Sequence, residues 1–169
     1  MSVKEHKNKK QAVNCMVITI SDTRSEATDK SGNLIVSFLE QAGHHVKEKE
    51  IVKDDIPAIQ AMIQRGCADA EVEVILTNGG TGIANRDVTI ESINEMLEKH
   101  MPGFGEIFRM LSYQEDIGSA AILSRATAGV RKQTAIFSMP GSSGAVKLAM
   151  NKLIIPELSH IVNEIKKDN

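Results

Sequence analysis

Short continuous runs of apolar residues alternate along this chain with stretches in which apolar residues recur every three or four positions, and the rhythm holds from residue 13 to the end. Runs at residues 13–20, 46–52, 72–76 and 134–139 predict strands. Leu34, Ile35, Phe38, Leu39 and Ala42 recur at helical spacing; Asp29-Lys30-Ser31-Gly32 opens that helix and Gly43 stops it. Pro57 suits the first turn of a second helix carrying Ile59, Met62 and Ile63, with Gly66 weakening its end. Thr89 reads as the cap of a third, with Ile90, Ile93, Met96 and Leu97 as its stripe and His100-Met101-Pro102-Gly103 as its break. Residues 104–111 predict another helix, and residues 113–119 read as irregular. The last helix displays Val146, Ala149, Leu153, Leu158, Ile161, Val162 and Ile165, with Pro156 kinking or splitting it.

Strands alternating with helices through short connections predict an α/β protein, a three-layer α/β/α sandwich with a mainly parallel sheet. Residues 13–169 are expected to form one domain, preceded by a flexible tail over residues 1–12. In a parallel sheet the residues that follow each strand emerge at one edge, where open α/β sheets bind ligands. Ser21-Asp22-Thr23-Arg24, Asp54-Asp55, the stretch Thr77-Asn78-Gly79-Gly80-Thr81-Gly82 and the turn Pro140-Gly141-Ser142-Ser143 all meet there.

The glycine-rich stretch has the composition of a phosphate loop. Its glycines remove β-carbons that would keep an anion off the backbone, and Thr77, Asn78 and Thr81 add side-chain donors. It matches neither the dinucleotide-binding pattern nor the nucleoside-triphosphate loop, since no Lys follows the last glycine. Arg86-Asp87-Val88-Thr89 comes next. Asp87 has two readings, a carboxylate that shares Mg²⁺ with a bound phosphate and one that stabilises a helix start. Asp54 could supply a second metal ligand or sit ahead of a Pro-started helix. Ser142 and Ser143 read as anion donors or as helix caps, and Arg24, Arg86, Arg109, Arg125 and Arg131 as anion clamps or solvated surface.

A chain of 169 residues that is 41% hydrophobic can bury one good core. A net charge of −2 argues against nucleic acid as the main partner, and 3% aromatics with no Trp leave few stacking platforms. Cys15 and Cys67 lack disulfide or zinc spacing and read as buried free thiols. No signal peptide or membrane-length apolar run is present in the sequence, so a cytoplasmic protein without a membrane partner is expected. The histidines show no ligand spacing and no Ser-His-Asp arrangement.

Several ordered motifs resemble the MoaB/MogA-type molybdenum cofactor biosynthesis proteins, which are similar to the G domain of gephyrin. The resemblance spans nearly the whole chain. It rests on residues 17–24, 29–32, 77–82 and 86–89, on Pro102-Gly103-Phe104-Gly105-Glu106, on Leu123-Ser124-Arg125-Ala126, and on Met139-Pro140-Gly141-Ser142, with residues 104–113 and the last turn closest to the MoaB branch. It implies a molybdopterin-binding fold, a homotrimer or dimer of trimers, and other molybdenum cofactor biosynthesis proteins as partners. The implied activity is transfer of AMP from ATP to the terminal phosphate of molybdopterin, with Mg²⁺ required. Asp54 and Asp87 would be the essential acids that organise metal and nucleotide. Phosphate and substrate contacts would come from Ser21, Asp22, Thr23, the stretch from Thr77 through Asn78, Gly79, Gly80 and Thr81 to Gly82, and Arg86 and Thr89. Glu106, Ser124, Arg125, Pro140, Gly141 and Ser142 would complete them, with Ser142 on the pterin side. The Arg-Asp-Val-Thr signature of active members is intact, whereas Ser142-Ser143 stands where the adenylylating branch tends to have Asn or Gln and then Pro. The alternative implied by the MoaB-like half is a non-catalytic molybdopterin-binding or carrier protein.

Overall fold

The computed structural model describes residues 10–169; most of the expected tail lies outside the described residues. Its strands are β1 (Asn14–Ile20), β2 (His45–Val52), β3 (Val74–Asn78), β4 (Lys99–His100), β5 (Thr127–Arg131) and β6 (Thr134–Met139). Its α-helices are α1 (Lys30–Gln41), α2 (Ile56–Ala68), α3 (Thr89–Asn94), α4 (Pro102–Glu115), α5 (Ser143–Ala149) and α6 (Ile155–Lys166). One sheet of order β2-β1-β3-β6-β5-β4 runs through the middle. The four strands β2, β1, β3 and β6 are parallel; β5 runs against β6, and β4 runs against β5 and so returns to the common direction.

The continuous apolar runs follow from burial on both faces. Along β1, Cys15 and Val17 face a core with α1, α4, α5 and α6, while Met16, Ile18 and Ile20 face a core with α2 and α3. β3 and β6 divide in the same way, with Val74, Leu76 and Phe137 on the first side and Ile75 and Ile136 on the second. Phe104 stands edge-on to Phe137 at 5.2 Å between ring centroids, and Phe108 lies beneath it, fully buried.

Asp29, Asp55 and Ser142 cap α1, α2 and α5, their side chains accepting from the N–H groups of Gly32, Ala58 and Ala145. The remaining elements depart from expectation for local reasons. β3 is shifted two residues forward, so Thr77 and Asn78 complete the ladder opposite Ser138 and Met139 of β6. Gly66 lies in the last turn of α2, where a β-carbon would meet Ile75 Cδ1 at 2.7 Å and Met16 Sδ at 2.8 Å. Thr89 is the first helical residue of α3, not its cap, and α3 stops at Asn94 while Met96 and Leu97 stay buried outside it.

Pro102 begins α4 instead of breaking a helix, since its missing N–H costs nothing in a first turn. Residues 113–115 belong to that helix, and a 3₁₀ turn covers Gly118–Leu123. β4 and β5 escape the reading of apolar runs because they are short, small and partly exposed. Ahead of Pro156, Met150–Ile154 widens into a π-helical turn that splits the last helix. Cys15 and Cys67 are free thiols; burial and then the Glu73 carboxylate push the Cys15 thiol up to about 12.

Truncating Phe108, at the junction of α4 with the sheet, removes a ring with no solvent contact. Phe108→Ala is expected to lower the unfolding free energy by about 3–5 kcal/mol. Urea titration checks this, and a loss under about 1 kcal/mol would mean that the core is not organised around this ring.

Candidate functional site

The parallel strands β1, β2, β3 and β6 deliver their following loops to one edge of the sheet, as expected. Gly79 and Gly80, with φ of +94° and +65°, turn the chain sharply out of β3. At Gly80 the demand for glycine is doubled: a β-carbon would stand 2.2 Å from Thr89 Oγ1 and 2.8 Å from Asp54 Oδ1. Asp54 and Thr89 therefore face the same bare backbone. The Thr89 hydroxyl is fully buried and has no partner among the described residues.

The loop keeps its amides unpaired. Gly79 N–H donates to Met139 O and Ala84 N–H to Asp87 Oδ2, but the four N–H groups between them, at Gly80, Thr81, Gly82 and Ile83, meet no acceptor among the described residues. Successive free amides after a positive-φ turn are the geometry of an anion nest. The Asp87 carboxylate closes the far side of this loop through Ala84 and lies over Gly82, where a β-carbon would be 2.5 Å from Asp87 Oδ2.

Three carboxylates gather at this edge. Asp22 Oδ1 accepts from the Asp54 amide at 3.1 Å. Burial, then the negative charges of Asp22 and Asp87, push the Asp54 carboxyl above its ordinary range, against weaker opposing help from the Asp22 amide and Arg86. Asp54, Asp87 and the Thr89 hydroxyl offer oxygen donors only. Among the described residues no three Asp, Glu, His or Cys side chains form a ready-made metal cage.

The other residues singled out in the sequence divide between lining and support. Ser21 Oγ accepts from the Thr23 and Arg24 amides, shaping the exposed loop after β1. Pro140-Gly141 packs on the glycine loop, with a Gly141 β-carbon position 3.3 Å from Gly79 Cα. Ser142 caps α5, the simpler of its two readings. Arg86 is exposed and close enough to Asp54 to act on its charge.

Thr77 and Asn78, expected as donors to a ligand, are strand residues with no solvent contact. The Asn78 amide is engaged inward, its Nδ2 donating to Thr19 Oγ1 and its Oδ1 accepting from Ser31 Oγ. Glu106 lies on the exposed side of α4 and lines a hollow of about 200 Å³ with Asn94 and Arg109, to which no glycine-loop residue contributes. Ser124 N–H closes the 3₁₀ turn on Ala121 O. Arg125 is turned onto the loop's own carbonyls. Larger hollows, of about 390 and 450 Å³, lie at the opposite edge of the sheet by the starts of β1 and β2 and of β3 and β6, and one of about 460 Å³ lies against β4, β5 and α6.

Sequence reasoning missed what anchors this edge. Asp29 is fully buried; it accepts from Thr19 Oγ1 at 2.7 Å and pairs with Lys49 Nζ at 2.8 Å while capping α1. Thr19 in turn receives the Asn78 amide, and Ser31 receives Arg24 Nη1 at 3.5 Å. One polar chain thus fastens β2, β1, α1 and β3 just beneath the glycine loop. The only sequence signal was a lysine within a strand and an aspartate read as a helix start.

Residues 16–160 match the family model described as "Probable molybdopterin binding domain". "Molybdenum cofactor biosynthesis protein B" of Bacillus subtilis (strain 168) is 66% identical over 169 residues, covering 99% of both chains. A crystal structure of molybdenum cofactor biosynthesis protein B superimposes with a TM-score of 0.91 at 57% identity, over 93% of this chain and 98% of that one. The tungsten cofactor synthesizing protein MoaB from Pyrococcus furiosus follows at a TM-score of 0.82 and 38% identity, over 93% and 99%. The chain belongs to the molybdopterin-binding domain family, among molybdenum cofactor biosynthesis proteins of the MoaB type.

Burial pushes the Asp29 carboxyl up, but the hydrogen bonds from Lys49, Thr19 and the Gly32 amide, with the Lys49 charge, together hold it below its ordinary range. A carboxylate depressed in the folded state adds stability that is complete above its unfolded value and is lost as pH falls through the folded one. The stability gap between the parent and Asp29→Asn is expected to be largest at neutral pH, up to about 3 kcal/mol. It should close below about pH 4. Urea unfolding of both proteins across acid pH measures it, and a gap that persists unchanged into acid would remove the charge from the account.

Proposed function

We propose that the protein works in molybdenum cofactor biosynthesis as a cytoplasmic molybdopterin adenylyltransferase. It binds molybdopterin and moves AMP from ATP onto the terminal phosphate. In that reaction a phosphate oxygen of molybdopterin forms a bond to the α-phosphorus of ATP. The bond from that phosphorus to the bridging oxygen of the β-phosphate breaks, and pyrophosphate leaves. The carrying observation is the run of four amides at residues 80–83 that meet no acceptor among the described residues, beside Asp54 and the Thr89 hydroxyl, which has no partner among them either.

Phosphoryl-type transfer needs placement and charge neutralisation more than a covalent nucleophile. The amides of Gly80 to Ile83 receive phosphate oxygens. Arg86, free at the rim, adds a positive charge. Asp54, Asp87 and the Thr89 hydroxyl fit Mg²⁺, a hard cation that takes oxygen ligands and shares one or two carboxylates with substrate phosphates. When bound, Mg²⁺ would neutralise phosphate charge and relieve the crowding of Asp22, Asp54 and Asp87. The buried polar chain under the loop keeps the amides in place without touching substrate.

A non-catalytic molybdopterin carrier is the second reading, supported by Ser142, whose hydroxyl caps α5 and stands at the point of departure from the adenylylating branch. Incubating the purified protein with molybdopterin, ATP and Mg²⁺ separates the two. Adenylylated molybdopterin and pyrophosphate are expected, with turnover lower by roughly 10²-fold or more in Asp87→Asn. Molybdopterin binding without product would select the carrier, and turnover by Asp87→Asn at the parental rate would remove Asp87 from the site.

Self-association completes the proposal. Ile107, Met110, Tyr113, Ile117, Ile122 and Leu123 expose apolar surface along α4 and the 3₁₀ turn, with Ile122 85% accessible. A cluster of this kind marks an interaction surface. A homotrimer or dimer of trimers is expected by light scattering at micromolar concentration, and Ile122→Asp should shift it toward smaller species; a monomeric parent would rule out this use of the face.

A further inference from the structure

We propose that Arg125 is a positioning residue that sets the glycine loop open for an anion and does not itself bind substrate. The guanidinium reaches back across the sheet edge to main-chain carbonyls. Its Nε donates to Thr81 O at 3.1 Å, and its Nη2 to Gly82 O at 2.7 Å and to Asp87 O at 3.3 Å. Nη1 pairs with Glu91 on α3, and Nη2 also lies 3.3 Å from Glu91 Oε2. All three guanidinium nitrogens are thus engaged within the chain. Arginine suits this task because its donors form a rigid planar fork.

The effect on the loop follows from peptide planarity. In a trans peptide unit the C=O of one residue and the N–H of the next point in opposite directions. Drawing the carbonyls of Thr81 and Gly82 onto Arg125 therefore turns the N–H groups of Gly82 and Ile83 away from it. These are two of the four loop amides that meet no acceptor among the described residues. The same side chain holds the Asp87 carbonyl, so it fixes both the nest and the backbone from which the Asp87 carboxylate projects. Glu91 steadies the guanidinium from the other side and is held below the ordinary carboxylate range, chiefly by its hydrogen bond to Arg125.

This role rests on reading the glycine loop as the phosphate cradle, so the test includes a measurement independent of that reading. Amide hydrogen exchange over residues 79–88 is compared in the parent, Arg125→Met and Arg125→Lys, with β1 and β3 as internal controls. Mg·ATP binding and AMP transfer are measured on the same preparations. Arg125→Met should speed exchange in the loop by about tenfold or more while the controls stay protected, since the loop's local stability depends on few contacts. Transfer should fall on the order of 10²-fold through misplacement. Combining Arg125→Met with Asp87→Asn should give less than the product of the two losses, because both act on one unit.

Arg125→Lys keeps the charge and can hold only part of the fork, so it should lie between the parent and Arg125→Met. Unchanged loop exchange in a folded Arg125→Met, or fully multiplicative losses, would overturn the positioning role. If Arg125→Met does not fold, the exchange of Arg125→Lys decides in the same way. A parent that neither binds Mg·ATP nor transfers AMP would sink the proposed activity, while the exchange comparison still decides what Arg125 does.

Discussion

Asp29 keeps a carboxylate out of all contact with water, and the edge of the sheet that carries the site depends on keeping that charge satisfied. Transfer of an ionised carboxylate into a protein interior is prohibitive without a counter-charge and full hydrogen bonding. Lys49 supplies the charge; Thr19 and the Gly32 amide supply the bonds. Since Thr19 also receives the Asn78 amide, the requirements of one buried anion set the relative heights of β1, β2 and β3 and the start of α1. The loop that leaves Asn78 begins from a fixed point.

Above that anchored layer the charge logic is reversed. Asp22, Asp54 and Asp87 are brought together without a protein cation among them, except Arg86 at the rim, and Asp54 is pushed toward its neutral form as a result. An arrangement that raises the energy of the Asp54 carboxylate while neighbouring amides meet no acceptor among the described residues is poor as a structural device. It suits a bound species that carries both a cation and anionic oxygens. The contrast is with Asp29, whose two carboxylate oxygens take three partners from within the chain; it is a structural acid, whereas Asp54 is the proposed functional one.

Much of this was legible in the sequence. The alternation of apolar runs with helical stripes gave the layered α/β architecture, because a strand buried on both faces cannot be polar on either. The glycine loop was likewise visible, since consecutive glycines after a strand signal positive-φ backbone and close approach, and Asp54 and Asp87 were visible as carboxylates at the same edge. What was hidden depended on pairing at long range. Thr77 and Asn78 look like loop donors from composition, and only the ladder to β6 shows them to be strand residues. Lys49 looks like one charge in an alternating exposed strand until β2 is laid beside β1 and Asp29. Composition and spacing could not tell Arg125 from any surface arginine, because its partners lie 34 to 44 residues earlier in the chain, and the resemblance implied a substrate contact.

The reversal of β5 bears on the order in which the molecule can be assembled. Because β5 runs against β6, its first residue, Thr127, sits beside Ser138 at the carboxyl edge, and the chain just before it arrives at the same edge as the glycine loop. Had β5 run parallel, that segment would have emerged a strand's length away, roughly 16 Å at the usual rise per residue. The loop after β3 is synthesised early, yet the arginine that draws its carbonyls aside is delivered with a hairpin formed much later in the sequence. Closing such a long stretch of chain must precede the reward of the contact. The cradle therefore takes its final shape only with the β5–β6 hairpin in place, since that pairing brings the Arg125 segment to the carboxyl edge.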